Sequence, residues 1–121
     1  MRHEHDDAAL LWDMLEAARK MKMQSFVAGK SFAEYAGDEL LQAAVERKLE
    51  IIGEAARHVS EAFQAQHAEI PWRAIIAQRH VLAHEYGEIR QEKLWRVATV
   101  RVNELIDRLA PLTPPPPEND P

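Results

Sequence analysis

The sequence predicts an all-α fold, an antiparallel bundle of four to five helices that pairs with a second copy. Apolar residues recur at helical spacing through most of the chain, and no segment shows the two-residue alternation of a strand. Glycines and prolines stand between the helical segments, where they end and begin helices. The 121 residues suit one domain, and a helical chain this short often completes its core against another copy.

The first predicted helix covers residues 6–28, where Leu and Met recur on one face and charged residues on the other. Gly29 ends it, in the position where a left-handed residue closes a helix. Ser31 and Glu34 then have the spacing of a capping box, in which each side chain bonds the other residue's backbone N–H. This box opens only a short helical turn.

The longest predicted helix spans residues 39–66 and is capped by Asp38. Its apolar stripe is wide, which indicates a position in the middle of the bundle. The stripe consists of Leu41, Val45, Leu49, Ile52, Ala56, Val59 and Phe63, widened by Leu40, Ala44, Ile51 and Ala55. Gly53 lies inside this helix and marks the close approach of another helix, and Glu54 beside it is the charge of greatest functional interest.

Two further helices are predicted, over residues 71–84 and 91–109, with Gly87 breaking the chain between them. Residues 1–110 therefore form the helical bundle. Residues 111–121 contain six of the seven prolines, which predicts an extended, disordered tail.

Composition excludes several classes of protein. The chain has no cysteine, so disulfides and thiolate chemistry are excluded, and it has no apolar run long enough for a membrane span. The polar N-terminus does not resemble a signal peptide, so we expect a cytoplasmic protein. The net charge of −5 argues against indiscriminate nucleic-acid coating. Positive charge collects in residues 71–110, with seven Lys and Arg against five Asp and Glu, whereas residues 1–70 hold eight against thirteen.

Residues 79–87, RHVLAHEYG, concentrate the groups that can do chemistry. A histidine can act as general base or acid at neutral pH. An arginine stays charged, binds phosphate at two points and stabilises negative charge that develops in a transition state. Arg79 and His84 are therefore a candidate catalytic pair for RNA cleavage, in which a ribose 2′-hydroxyl attacks the adjacent phosphate without a metal.

The spacing of these residues constrains such a site. On a straight helix Arg79 and Tyr86 share a face, whereas His84 lies about 140° around the axis from Arg79. Either the helix loosens near His84, or a second copy of the chain completes the site. An arginine five residues before a histidine is also common on the surface of helical proteins, so spacing alone leaves a surface role open.

A metal site is the weaker interpretation of the two histidines. His80 and His84 are four residues apart, a spacing that suits a metal on a helix. However, Val81 stands where the zincin signature has glutamate, and no third ligand is evident. The sequence therefore predicts neither a metal nor a cofactor, and we expect Trp72 and Trp95 to lie in the core instead of stacking on bases.

The spacing R-x4-H-x-Y over residues 79–86 matches the motif of HepT-like toxins, a branch of the HEPN superfamily of helical ribonucleases. Residues 44–56 resemble the long central helix of that family, residues 70–75 its approach to the motif, and residues 94–95 its return helix. The resemblance covers about residues 6–110 in the expected order. It is much more specific than the motif alone.

The resemblance implies a helical bundle that dimerises so that two motifs face each other across a cleft. It implies metal-independent cleavage of RNA that leaves a 2′,3′-cyclic phosphate. By motif match, Arg79 orients and neutralises the phosphate and His84 is the general base or acid. His80, where this branch more often has asparagine, is expected to assist RNA binding or proton transfer. Glu54 is a candidate to pair with Arg79 or His84 and orient it.

The resemblance gives Tyr86 a different role. The partner in this branch is an antitoxin, an MntA-like minimal nucleotidyltransferase associated with transfer of AMP to the motif tyrosine. AMP on Tyr86 would add bulk and negative charge where RNA phosphate must bind. We therefore expect Tyr86 to be the regulatory switch of a type VII-like toxin–antitoxin pair.

Two other functions stay open from the sequence. The bundle could be a non-catalytic scaffold that binds a nucleotidyltransferase, and the acidic net charge favours that view. A metal-dependent hydrolase built on His80 and His84 is a third candidate. The scaffold is tested by RNA integrity and growth arrest, and the metal-dependent hydrolase by the effect of a chelator.

Overall fold

The computed structural model describes residues 6–23 and 29–115, apart from the side chains of Met23 and Arg79. Every regular element among these residues is helical, so the predicted all-α bundle is confirmed. In chain order the elements are α1 (Asp7–Met23), α2 (Phe32–Ala36), α3 (Glu39–His58), α4 (Glu61–Gln66), α5 (Trp72–His84), α6 (Gly87–Arg96), a π-helical segment (Val97–Arg101), α7 (Val102–Leu109) and a 3-10 turn (Ala110–Leu112). None of the described helices combines the length and apolar character needed to cross a bilayer.

The central helix of the bundle is α3, which packs against α1, α5, α2 and α6. Helix α1 packs against α7 as well as against α3. Asp7, at the start of α1, bonds Ser60, just beyond the end of α3, so these two helices run antiparallel. The core is made of aliphatic side chains, Met14, Met21, Tyr35 and Trp72, and it contains no buried charged residue among the described part of the chain.

The capping signals before α2 and α3 are confirmed, whereas the predicted helix end before Gly29 lies outside the described residues. Gly29 adopts the left-handed conformation with φ of 72°. Ser31 and Glu34 form the predicted capping box, with the Ser31 hydroxyl accepting from the Glu34 N–H and the Glu34 carboxylate accepting from the Ser31 N–H. That backbone bond, together with the Ser31 hydroxyl, lowers the pKa of Glu34. The Asp38 carboxylate caps α3 by accepting from the Leu41 N–H at 2.9 Å.

The predicted single helix over residues 39–66 is wrong, because the chain leaves helical backbone at Val59 and restarts in α4. Ser60 caps α4, and both its N–H and its hydroxyl donate to the Asp7 carboxylate, at 2.9 and 2.7 Å. The Gln64 side chain donates to the Val59 carbonyl at 3.0 Å. The apolar pattern runs through this break, and the contact that holds it comes from α1, 53 residues earlier in the chain.

Gly53 marks a close helix contact, as predicted. A Cβ built on Gly53 would lie 3.4 Å from the Ile75 carbonyl oxygen, so the backbones of α3 and α5 approach each other here. The prediction that Leu40 widens the buried stripe is wrong, because this side chain is 82% exposed. Leu40 lies in the first turn of α3 beside the buried Leu41, on the side of the helix that faces solvent.

A half-buried polar network holds α6 against α2 and α3. The Tyr35 hydroxyl donates to Gln91 Oε1 at 2.5 Å, and Gln91 Nε2 donates to Glu46 Oε2 at 3.1 Å. The other Glu46 oxygen pairs with Arg90 Nη2 at 2.6 Å. Burial, followed by the nearby Glu46 carboxylate, raises the pKa of the Tyr35 phenol. The network fixes the helix that follows residues 79–87 directly in the chain.

The last predicted helix begins earlier than expected, at Gly87 instead of residue 91, and continues through the π-helical segment into α7. After α7 the 3-10 turn carries the helical body to Leu112, which packs against the core. Residues 24–28 of the first predicted helix and residues 116–121 of the predicted tail lie outside the described residues.

Candidate functional site

The motif lies at the C-terminal end of α5, a regular helix that continues through His84. The Glu85 N–H donates to the Val81 carbonyl at 3.1 Å and completes the last turn. The helix therefore does not loosen at His84, and the two backbone positions Arg79 and His84 stay about 140° apart around the axis. Of the two possibilities that the spacing left open, a helix that loosens near His84 is therefore not what the backbone shows.

His80 and His84 lie side by side on the exposed face of α5. Their ring centroids are 5.4 Å apart and the rings are inclined by 28°. Both rings line a broad groove of about 950 Å³ between α5 and the α4–α5 connection, which we call the histidine groove. Its walls are Gln64, Ala65, Ala68, Ile70, Pro71, Trp72, Arg73, Ile76, Ala77, His80, Ala83 and His84. Both imidazoles can therefore meet a ligand that enters from solvent.

Trp72 forms part of the groove wall but offers no face for base stacking. It is only 6% exposed, and its indole N–H donates to the His67 carbonyl at 3.0 Å. The Phe63 ring packs edge-on against it, with centroids 6.2 Å apart. Trp95 is half-buried and packs against Tyr35. Both tryptophans thus pack with the core, as the sequence predicts.

A second groove lies on the other side of α5, and we call it the carboxylate groove. It measures about 600 Å³ and is lined by α1, α3 and the end of α5. Its walls are Leu10, Asp13, Arg47, Glu50, Ile51, Glu54, Ala55, His58, Leu82 and Ala83. Ala83 is common to both grooves, and the backbone of Arg79 stands one turn before it.

Glu54 belongs to the carboxylate groove and not to the groove of His84. Its Oε1 accepts from Arg57 Nη2 at 2.9 Å and contacts His58 Nε2 at 3.1 Å. These two bonds, with Arg57 the stronger influence, lower the pKa of Glu54. The same carboxylate raises the pKa of Arg57. The structure thus places Glu54 with two neighbours on its own helix and apart from His84.

The Tyr86 side chain stands out on the described surface, because this aromatic residue is 74% exposed. It occupies the extended position just before α6, and its hydroxyl donates to the Ala83 carbonyl at 3.3 Å. The adjacent Glu85 pairs with Lys93 Nζ at 2.5 Å. Gly87 follows in the left-handed conformation, with φ of 61°. The Tyr86 side chain is therefore largely exposed to solvent, two residues from His84.

The two histidines offer little to a metal within one chain. The described part of the chain contains no group of three or more His, Cys, Asp or Glu residues placed to hold a metal ion. His80 and His84 could supply two ligands, whereas structural and catalytic zinc sites use at least three protein ligands.

Sequence reasoning did not single out Arg73, which the structure places in the histidine groove. The signal was present in the spacing, because Arg73, His80 and His84 are seven and four residues apart and share one face of a helix.

Comparison with known proteins identifies the family of the chain. The family model described as "Ribonuclease HepT-like" matches residues 14–112. A "Probable ribonuclease HepT" of Thermococcus cleftensis is 35% identical over 96 residues, which cover 79% of this chain and 84% of that protein. A protein of Methanocaldococcus jannaschii named "Putative RNase MJ1380" is 32% identical over 94 residues, which cover 78% of this chain and 84% of that protein.

A third relative, "Putative RNase TTE0752" of Caldanaerobacter subterraneus subsp. tengcongensis, is 35% identical over 79 residues, 65% of this chain and 70% of that protein. No solved structure matches the chain. The family match includes α3, the whole of α5 with the motif, and α6. Because the match spans most of the helical bundle and relatives cover most of the chain at about a third identity, this chain belongs to the HepT-like family of ribonucleases.

Proposed function

We propose that the chain is a metal-independent endoribonuclease toxin in which His84 and Arg79 do the chemistry. The observation that carries this proposal is the exposed His84 ring at the mouth of an open groove, in a member of a ribonuclease family. As general base His84 removes the proton of a ribose 2′-hydroxyl, whose oxygen then bonds to the adjacent phosphorus. The bond to the 5′-oxygen breaks, that oxygen takes up a proton, and a 2′,3′-cyclic phosphate remains.

Arg79 is the group that we propose to neutralise the phosphorane. Its charge is permanent, and a cation near the equatorial oxygens stabilises the transition state more than the substrate. Because α5 is regular, Arg79 and His84 of one chain start from positions about 140° apart. We therefore propose a homodimer in which two motifs face each other, so that the cation and the base at one phosphate can come from different copies.

His80 and Glu54 take supporting roles in this proposal. His80 lies beside His84 in the same groove and is placed to bind RNA or to pass a proton. Glu54 carries negative charge that repels RNA, and it shares its groove with Ala83, one turn from Arg79. We propose that Glu54 orients Arg79 and does not touch RNA.

The test of the nuclease proposal is cleavage of RNA by the purified chain in the presence of EDTA. We expect cleavage to persist with the chelator and to yield fragments with 2′,3′-cyclic phosphate ends. Cleavage that vanishes with EDTA and returns with a divalent ion would instead favour a metal-dependent hydrolase. Two tandem fusions test whether the residues act across a dimer. One joins a wild-type copy to an R79A/H84A copy, and the other joins an R79A copy to an H84A copy. Comparing RNA cleavage by the two fusions reveals whether Arg79 of one copy acts with His84 of the other.

We propose that Tyr86 is the point of control. In the reaction with a cognate MntA-like nucleotidyltransferase, the Tyr86 oxygen attacks the α-phosphorus of ATP, pyrophosphate leaves and the phenol proton passes to solvent. The exposed phenol supports this step. AMP at this position adds negative charge and bulk beside the histidine groove, which lowers affinity for RNA through like-charge repulsion.

The test of this control uses intact mass measurement after incubation with the nucleotidyltransferase and Mg-ATP. We expect one or more AMP adducts, loss of RNA cleavage, and no adduct on Tyr86→Phe. The chain has two tyrosines, and Tyr35 is buried and bonded to Gln91, so it serves as an internal control. Adducts that persist in Tyr86→Phe would contradict the assignment.

The second candidate function is a non-catalytic subunit that binds a nucleotidyltransferase. The net charge of −5 and the three carboxylates of the carboxylate groove favour it over RNA binding. If RNA stays intact in the presence of a folded chain that binds the nucleotidyltransferase stably, this second function is the correct one.

A further inference from the structure

We propose that Arg73 binds a second phosphate of the RNA strand, away from the bond that is cut, so that the histidine groove recognises a strand several nucleotides long. This inference rests on the proposed ribonuclease function and names the substrate class of the same groove. It assigns to the first turn of α5 a binding role that is separate from the chemistry at its last turn.

The geometry of α5 sets the reach of this site. Arg73 precedes His80 by seven residues and His84 by eleven, so the three side chains lie along one face of the helix and all line the histidine groove. A rise of about 1.5 Å per residue puts Arg73 and His84 roughly 16 Å apart along the axis. That span is several times the rise of about 3.4 Å between successive phosphates of one stacked strand. A phosphate at Arg73 is therefore not the phosphate cleaved at His84.

The charges along the groove suit a polyanion. Arg73 is exposed, and no hydrogen-bond or ion-pair partner for it exists among the described residues. Gln64 is the remaining polar wall residue, and the described lining contains no carboxylate. Arg47 and His58 also line the carboxylate groove, but its three carboxylates leave it with an excess of negative charge; they are Asp13, Glu50 and Glu54. A phosphate chain that runs along α5 is thus attracted on the side of Arg73 and repelled on the other side.

The position of Arg73 is held firmly by its neighbours. Trp72 is buried, and its indole N–H bonds the His67 carbonyl. The Ile75 N–H donates to the Pro71 carbonyl at 3.0 Å, so the first turn of α5 is formed. The guanidinium therefore projects from a fixed backbone, whereas an arginine on a loose loop would lose more entropy on binding.

The test compares two substrates cleaved by the full-length protein. A dinucleoside monophosphate contains only the phosphate that is cut, and an unstructured ten-nucleotide RNA can also reach Arg73. We expect Arg73→Ala to lower kcat/KM for the longer RNA about tenfold and to leave the dinucleotide unchanged. The slope of log kcat/KM against log salt for the longer RNA should become shallower by about 0.7, the value for one single-strand phosphate contact.

The matched control is Arg101→Ala. Arg101 is an exposed arginine in the π-helical segment and lies outside the histidine groove. Its removal should change neither the length dependence nor the salt slope. Arg73→Lys should restore most of the salt slope, because a lysine keeps the charge, and this rescue separates phosphate binding from a structural effect. Thermal melting of all three variants checks that the fold is intact.

Binding to a fully 2′-O-methylated ten-nucleotide RNA separates this inference from the proposed function, because that strand has no 2′-hydroxyl to attack. If the wild-type chain binds it and Arg73→Ala lowers the salt slope, Arg73 is a phosphate contact whether or not RNA is cleaved. If Arg73→Ala and the wild type share the same salt slope and length dependence, the inference is overturned while the nuclease proposal stands. A wild type that neither binds nor cleaves RNA overturns both.

Discussion

The two grooves beside α5 share a wall residue, Ala83, but differ in the balance of charge along their walls. On one side stand Arg73, His80 and His84, and on the other side a groove with three carboxylates. A chain with a net charge of −5 can therefore still offer a favourable surface to RNA, because binding depends on local potential more than on the total.

The strongest test of this comparison removes one side chain from each groove. We expect His84→Ala to lower the rate of RNA cleavage by about 10²- to 10⁴-fold, since it removes the proposed general base. Glu50→Ala in the carboxylate groove should stay within about twofold, because its pair with Arg47 is exposed and long at 3.6 Å. Initial rates on one labelled RNA measure both. Similar losses in the two variants would show that the grooves do not differ in function.

A second test separates the scaffold from the site. Glu46→Ala leaves the Arg90 guanidinium, 20% exposed in the intact pair, without its carboxylate, so we expect a loss of about 2 kcal/mol in the free energy of unfolding. Cleavage per folded molecule should change little, the reverse of the pattern for His84→Ala. Urea titration at a temperature where both proteins fold supplies the measurement. A Glu46→Ala variant as stable as the wild type would mean that the network does not anchor α6.

A third test moves α5 relative to α3 and so changes the separation of the grooves. Gly53→Leu must displace the Ile75 carbonyl, which should cost about 2 kcal/mol. In Gly53→Ala the added Cβ meets that oxygen at 3.4 Å, an ordinary contact, so the gain in helix propensity should stabilise the protein by up to about 1 kcal/mol. Melting temperatures of the two variants distinguish them. A Gly53→Ala variant as unstable as Gly53→Leu would show that α5 cannot shift away from α3 even to admit a single methyl group.

The smallest effect is expected at the turn between α5 and α6. Gly87 has φ of 61° and open space around a built Cβ, so Gly87→Ala should cost about 1 kcal/mol from backbone strain alone. Gly37, with φ of −95°, is the matched position where alanine should be nearly neutral. The difference between their unfolding free energies isolates the conformational term. Equal values for both variants would contradict the assignment of strain to Gly87.

The sequence predicted those features that depend on neighbours in the chain. The capping box of Ser31 and Glu34 and the Asp38 cap act within a few residues, so their patterns are visible in the sequence. The contact at Gly53 was also predictable, because a glycine inside a helix needs a packing reason. The family resemblance then identified the motif.

The features that the sequence did not predict depend on distant contacts. The break after α3 is held by Asp7, and the local signal of a new helix, Ser60 as N-cap followed by Glu61, is overridden in the sequence by an apolar pattern that continues to Phe63. Among the described side chains, Glu54 bonds Arg57 and His58, because helix geometry favours neighbours three and four residues away. Which histidines and which carboxylates share a groove depends on how α1, α3 and α4 surround α5, and that arrangement is set by tertiary packing.

The break after α3 has a consequence for access to the site. One wall of the histidine groove belongs to α4 and the connection after it, and α4 has no buried side chain. Such a segment opens at little cost while α1 and α3 remain folded. We expect backbone amides of residues 61–66 to exchange with solvent deuterium sooner than those of α3. An RNA strand could then enter the histidine groove through local opening of α4, without exposing the core of the bundle to water.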